Sequence, residues 1–421
     1  MNKILLLVGT LILFTSTGLA QGEKFTLSGT IRPRYELRDG YKSMLNDNDK
    51  ASNFISQRTR LNALYNDGKV GAKLVIQDIS TWGDKGQLAT GDSNGLGLHE
   101  AWASYQFVDG FGFKAGRQEL NYDDVRILGN VDWAQQARSH DALLFQFTKV
   151  QNFKLDLGIA YNRESEQNTN TNYAVPGYKA MQFLWANYQS DKFYGSFLFL
   201  NNGVQDSTKT DLTIRYSQTV GFYLKSKNLD GWGYSASAYY QGGKLKGDTK
   251  LSAYYFAASL NKRIAQNFSG TLGFEVLSGN DEGSTDTKNK AFTPLYGTNH
   301  KFNGHMDYFY VGNHGNSVGL GDYYLTLKYS KNKFTTALTG HYFTSMGDVL
   351  DNNDKVMDDY LGFELDWMIG YKFTDNFNLS AGYSRMFAGD ALKQLKSGGT
   401  SRDDANWAYI MLSFTPKFLS L

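Results

Sequence analysis

The chain has 421 residues, with 43 Lys plus Arg against 41 Asp plus Glu for a formal charge of +2, and no Cys. Absence of Cys excludes a disulfide scaffold and a thiolate metal site, and so small a net charge gives a nucleic-acid partner no footing. Charged residues at 20% and a mean hydropathy of −0.44 are too polar for a helical membrane protein, whereas 4 Pro, 44 Gly, 28 Tyr and 28 Phe suit paired strands, tight turns and interfacial aromatic belts.

The first 20 residues read as a secretory signal peptide. Lys3 supplies the charge, Ile4 to Phe14 the apolar core, and Gly18-Leu19-Ala20 a small-x-small cleavage site. That apolar core is too short to span a bilayer. The mature chain is expected to begin at Gln21, and residues 21–421 to form one domain, since no linker or change of composition interrupts them.

Next comes a stretch in which Phe25, Leu27, Gly29, Ile31, Pro33, Tyr35 and Leu37 alternate with Thr26, Ser28, Thr30, Arg32, Arg34, Glu36 and Arg38. A strand sends successive side chains to opposite faces, so one face here is apolar and the other charged. The same period-two pattern predicts strands over 25–38, 54–65, 70–78, 98–107, 112–118, 140–147, 152–162, 180–189 and 193–201. It continues through 212–226, 231–241, 251–262, 267–277, 319–330, 333–343, 361–372, 376–387 and 405–414, with Thr415–Leu421 as a tail. Short gaps such as Asn66-Asp67-Gly68-Lys69 and Asp109-Gly110 read as hairpin turns. They alternate with long polar gaps such as 119–139, 278–318 and 388–404. Long and short connections taking turns over about 18 strands are the mark of a transmembrane antiparallel β-barrel, with tight periplasmic turns and long outer loops. Closure is obligatory, because an open edge in hydrocarbon leaves backbone groups unpaired. A barrel of about 18 strands is wide enough for an aqueous channel.

The polar face therefore borders the lumen. Its basic positions are Arg32, Arg34, Arg38, Arg58, Arg60, Lys73, Lys154, Arg215, Lys225 and Lys328. Its acidic positions are Glu36, Glu100, Asp156, Glu275, Asp322, Glu364 and Asp366. Arg32, Arg34, Arg58 and Arg60 fall side by side on the first two strands, so they repel unless an anion visits or acidic partners interleave. Planar guanidiniums match carboxylates and phosphates in pairs. The acids gather on the far strands, which suggests a field across the pore. Loop 278–318 carries His300, Lys301, His305 and Asp307 and is expected to fold over the lumen as a constriction. In loop 119–139 the charges invite internal ion pairs as readily as solute contact.

No metal-ligand spacing and no cofactor motif is present. A barrel hydrolase needs a Ser–His pair with an orienting carboxylate or amide. His99 and His341 are read as the histidines within strands, neither with a Ser on its face, so no catalytic residue is expected.

Gly116-Arg117-Gln118, Tyr122-Asp123-Asp124-Val125-Arg126, Trp133 and Arg138-Ser139-His140-Asp141-Ala142 together resemble the alginate-export family of outer-membrane porins. Phe292-Thr293-Pro294-Leu295-Tyr296-Gly297-Thr298-Asn299-His300 and Phe54-Ile55-Ser56-Gln57-Arg58-Thr59-Arg60-Leu61 extend the likeness. The resemblance implies an 18-stranded barrel with an electropositive conduit, narrowed by loops, that passes an anionic uronate polymer. It implies that Arg32, Arg34, Arg38, Arg58, Arg60, Arg117, Arg126 and Arg138 line that conduit. The partners so implied are outer-membrane lipid, an anionic polysaccharide or small anionic solute, and periplasmic export or synthesis machinery, with the barrel a monomer. Uptake of sugars or small anions is the alternative use of the same barrel.

Overall fold

The computed structural model describes residues 24–88, 95–206, 212–227 and 230–421. The signal-peptide segment and its cleavage site lie outside the described residues. One antiparallel sheet closes on itself. Its first half comprises β1 (Phe25–Asp39), β2 (Ser52–Asn66), β3 (Val70–Thr81), β4 (Gly97–Val108), β5 (Phe111–Gln118), β6 (His140–Phe147), β7 (Phe153–Tyr161), β8 (Ala180–Gln189) and β9 (Phe193–Gln205). Next come β10 (Ile214–Ser226), β11 (Trp232–Lys244), β12 (Lys250–Ala265), β13 (Phe268–Leu277) and the two-residue β14 (Lys288–Asn289). The last group is β15 (Leu320–Lys331), β16 (Phe334–Thr344), β17 (Tyr360–Thr374), β18 (Phe377–Ala388), β19 (Asp404–Phe414) and β20 (Lys417–Ser420). Eighteen of these are long enough to count as barrel staves, and each pairs with the stave before and after it.

β1 meets β19 with Tyr35 opposite Ile410, which shuts the cylinder. The expected end of the last strand at residue 414 is corrected. Pro416 cannot donate to the ladder, so pairing breaks there as a bulge and resumes in β20, where Leu27 faces Leu419. Phe418 then lies over Gly29, filling the gap where that residue has no side chain.

The alternation sorts side chains as physics requires. Ile31, Tyr35, Leu61 and Leu74 are exposed on the outer face, where lipid meets them. Arg32, Arg34, Glu36 and Arg58 lie buried on the inner face. The core is therefore inside the barrel, and the third loop (119–139) and seventh loop (278–319) build it. Both fold inward and pack on the lumen wall, with Ile127, Leu128, Phe292, Met306 and Tyr308 buried among wall residues. Loop 388–404, expected to be irregular, carries helix α1 (Asp390–Ser397). Ala391 and Leu392 bury against the barrel and Gly398, at φ 62°, stops the helix.

Candidate functional site

Strand register builds the basic wall. Arg32 sits directly opposite Arg58, and Arg34 opposite Ser56. The repulsion this creates is answered from within. Asp132 of the third loop lies 3.3 Å from Arg32 and 2.8 Å from Arg58. Glu36 stands between Arg34, at 2.8 Å, and Arg38, at 2.9 Å, and accepts the Trp407 indole N–H at 3.1 Å. Arg32 and Arg34 also donate to the third loop's carbonyls, Arg34 to Trp133 O at 2.6 Å. Gln135 returns donors to Arg32 O and Ser56 O. Val125 and Val131 of this loop adopt left-handed φ of 67° and 53°. β-branched residues hold that conformation only where the surroundings over-determine it, so the third loop is a fixed insert.

Opposite, the acidic wall holds the seventh loop. Glu364 accepts from Met306 N at 2.8 Å and Asp366 from His305 N at 3.2 Å. Gly304 makes this possible: its φ is +80°, and a Cβ there would sit 2.6 Å from the Glu364 carboxylate. Asn303 donates to Glu275 and Asp322, while Arg126 pairs with Glu275 at 2.9 Å. His341 lies 2.8 Å from Asp322.

The two loops are knitted together. Thr298 N donates to Val125 O and Gly129 N to Tyr296 O. The His300 ring stacks on Trp133 at 4.5 Å, and the Arg34 guanidinium covers the same indole at 4.1 Å. Asp307 gathers His300 at 2.9 Å, Tyr41 OH at 2.5 Å and Lys42 at 3.5 Å. Burial alone would raise the Asp307 carboxyl, but the His300 imidazole and these donors hold it below the usual carboxylate range. Burial lowers the Lys301 ammonium, which donates to Asp124 O at 2.8 Å.

Two cavities flank this junction. One of about 320 Å³, near the long-loop end, is lined by Arg38, Lys42, Trp133, His300 and Tyr310 among others. The other, of about 390 Å³ and nearer the short turns, includes Lys225, Lys301, Asn303, His305 and Tyr324 in its lining. Consecutive residues His300 and Lys301 thus face different chambers, so the seventh loop forms the wall between them.

Several expected conduit residues have other places. Arg117 points outward: Gln118 is buried on the lumen side, so its neighbour takes the opposite face, where Arg117 pairs with Asp141 at 2.9 Å. Arg126, 1% exposed, anchors the third loop rather than lining a passage. Glu364 and Asp366 are likewise spent on the seventh loop. Arg58 is 4% exposed, while Arg60 bonds Gln77 at 3.0 Å. Arg138 donates to Gly297 O at 3.2 Å, Arg215 pairs with Asp248 at 2.9 Å, and Lys73 pairs with Glu100. His99, at a bulge of β4 and 3% exposed, does have a serine: Ser139 Oγ lies 3.2 Å from its Nδ1, and Glu119 Oε1 2.7 Å from its Nε2. Ser139 comes from the far end of the third loop, so face-by-face reading of β4 could not find it, and the trio clasps both loop ends to β4. His140 also belongs to a strand, opening β6. Asp132 and Gln135 were missed as wall partners, since nothing in an irregular loop signals which carboxylate returns to which strand.

Comparison with known proteins agrees with this architecture. The family described as Alginate export matches residues 24–406. No curated protein matches the chain in sequence. Among solved structures, Acinetobacter baumannii OccAB4 superposes with a TM-score of 0.65 at 14% identity, covering 95% of this chain and 100% of that one. Pseudomonas aeruginosa OccK2 (OpdF) in complex with glucuronate gives 0.60 at 15% identity, with 95% and 100% covered. The outer membrane protein opdK of the same species gives 0.58 at 10% identity, covering 94% and 99%. The shared fold is that of porins of the Gram-negative outer membrane. Over nearly its whole described length, the chain belongs to the alginate-export family.

Proposed function

We propose that this porin gives passive passage to anionic solutes, with an anionic polysaccharide of alginate type as its main cargo. One observation carries the reading. In the lumen pairs Arg38–Glu36, Lys42–Asp307 and Lys73–Glu100, the base is the wetted partner and the acid the buried one: side-chain exposures are 35% against 0%, 42% against 3%, and 31% against 6%. A solute therefore meets cations first, and a charged lumen concentrates ions of opposite sign. Asp132, at 51%, is the exception.

The chain works as a conduit, not an enzyme, acts as a monomer after signal-peptide removal, and takes its cargo from periplasmic export or synthesis machinery. Oligoglucuronates added to a reconstituted single channel are expected to interrupt the chloride current, longer chains for longer times. Uninterrupted current at all lengths would refute polysaccharide passage. A second reading, uptake of small sugar acids, draws support from the glucuronate in the similar OccK2 structure. Block by the monomer alone, with no gain from chain length, would favour it.

A further inference from the structure

We infer that the chamber near the short turns holds a sugar-hydroxyl subsite, a belt of small neutral side chains that recognises the ring hydroxyls of a sugar acid whose carboxylate sits at Lys225 and Lys301. This rests on the anion-passage reading and adds what separates a sugar acid from any other anion.

Register lays the belt out. Lys225 of β10 faces Ser235 of β11, and Ser235 faces Ser259 of β12. One step along β12, Asn261 faces Thr271 of β13. Thr271 faces Thr326 of β15, which faces Thr339 of β16. All six polar positions from Ser235 to Thr339 line the same 390 Å³ chamber. Each is half-buried, neither sealed in the wall nor fully free. With strands about 4.8 Å apart, five of them make a strip on the order of 20 Å long.

The chemistry of the strip is distinct from the rest of the lumen. Its side chains satisfy each other in pairs: Ser235 with Ser259 at 2.8 Å, Asn261 with Thr271 at 2.7 Å, and Thr326 with Thr339 at 3.0 Å. A hydroxyl offers one donor and two acceptor sites, so each pair keeps acceptor capacity directed at the chamber. That matches sugar hydroxyls, which both donate and accept. Simple carboxylates and halides can only accept and gain little from it. Tyr324 presents a ring beside the strip, and rings of this kind receive the apolar faces of sugars. Cations stand at one end. Lys225 is exposed with no ion-pair partner among the described residues, and Lys301 reaches over from the seventh loop.

The test uses the Thr326→Val, Thr339→Val double variant of the full chain in planar bilayers. Valine keeps the shape, and removing both partners of a bonded pair leaves no orphaned group. Block by glucuronate is expected to weaken by about fivefold or more, as loss of hydrogen bonds of ordinary strength implies. Block by acetate and the chloride preference should not change. Lys225→Gln, as a second variant, is expected to weaken glucuronate and acetate alike. Heat-modifiable migration in gels confirms that each barrel is closed. If the wild type prefers anions but glucuronate blocks it and the double variant equally, the subsite is refuted while the conduit reading stands. If the wild type shows no anion preference, the conduit reading fails and takes the subsite with it.

Discussion

The basic wall of β1–β2 and the acidic wall of β15–β17 use charge in mirror fashion. Arginines on one side grip carbonyls and the carboxylate of the third loop. Carboxylates on the other grip N–H groups and imidazoles of the seventh. Each wall solves the same problem, since a charge taken from water must find partners or forfeit several kcal/mol. The residue is what differs. Carboxylates are short and disappear under the loop they hold, whereas Arg38, Lys42 and Lys73 are long and keep their heads in the water beside their pairs. A chain with almost balanced charge thereby presents a lumen of one sign.

The comparison can be broken most severely at Glu36. It is fully buried between two guanidiniums, so Glu36→Gln should cost about 3–5 kcal/mol, read as a lower urea midpoint for loss of the heat-modifiable form. An unchanged midpoint would mean that the two arginines do not depend on it. On the opposite wall, Gly304→Ala forces a strained φ and a clash with Glu364, worth about 1–3 kcal/mol. Because the barrel strands are untouched, the expected result is larger and noisier single-channel conductance as the seventh loop lifts, with the barrel still closed. Asp132→Asn sharpens the contrast more gently. It releases Arg32 and Arg58 from their half-exposed counterion and should raise chloride preference without loss of folding.

The smallest effect is a pH dependence. Asp307 has its carboxyl held below the ordinary value of about 4, so its contribution is complete above that value and is lost as pH falls through the depressed one. Conductance noise from the seventh loop should therefore stay flat between pH 5 and 8 as far as Asp307 is concerned, and rise only below about pH 4. Asp307→Asn should bring the acid-induced noise to neutral pH.

Barrel staves were legible because period two is a local property. The segment 25–38 predicted from alternation is Phe25–Asp39 in the structure, and 140–147 is His140–Phe147. The inward face of Arg32, Arg34 and Arg58 follows from the same rule. What lies inside the barrel was not legible. Asp132 reaches Arg32 across a hundred residues, and no periodicity in 119–139 announces that this loop turns inward. Arg117 was misplaced because the strand that carries it is short and Gly-broken, so the facing could not be counted. Helix α1 did have a signal, with Ala391, Leu392 and Leu395 spaced for one face and Gly398-Gly399 behind them as a stop.

The most direct measurement is the zero-current potential of the wild-type channel across a planar bilayer with a tenfold potassium chloride gradient. Wetted bases over buried acids require a potential of the sign set by chloride, shrinking when Arg38, Lys42 and Lys73 are replaced together by Gln. A potential of the sign set by potassium would mean that the exposed cations do not govern what enters.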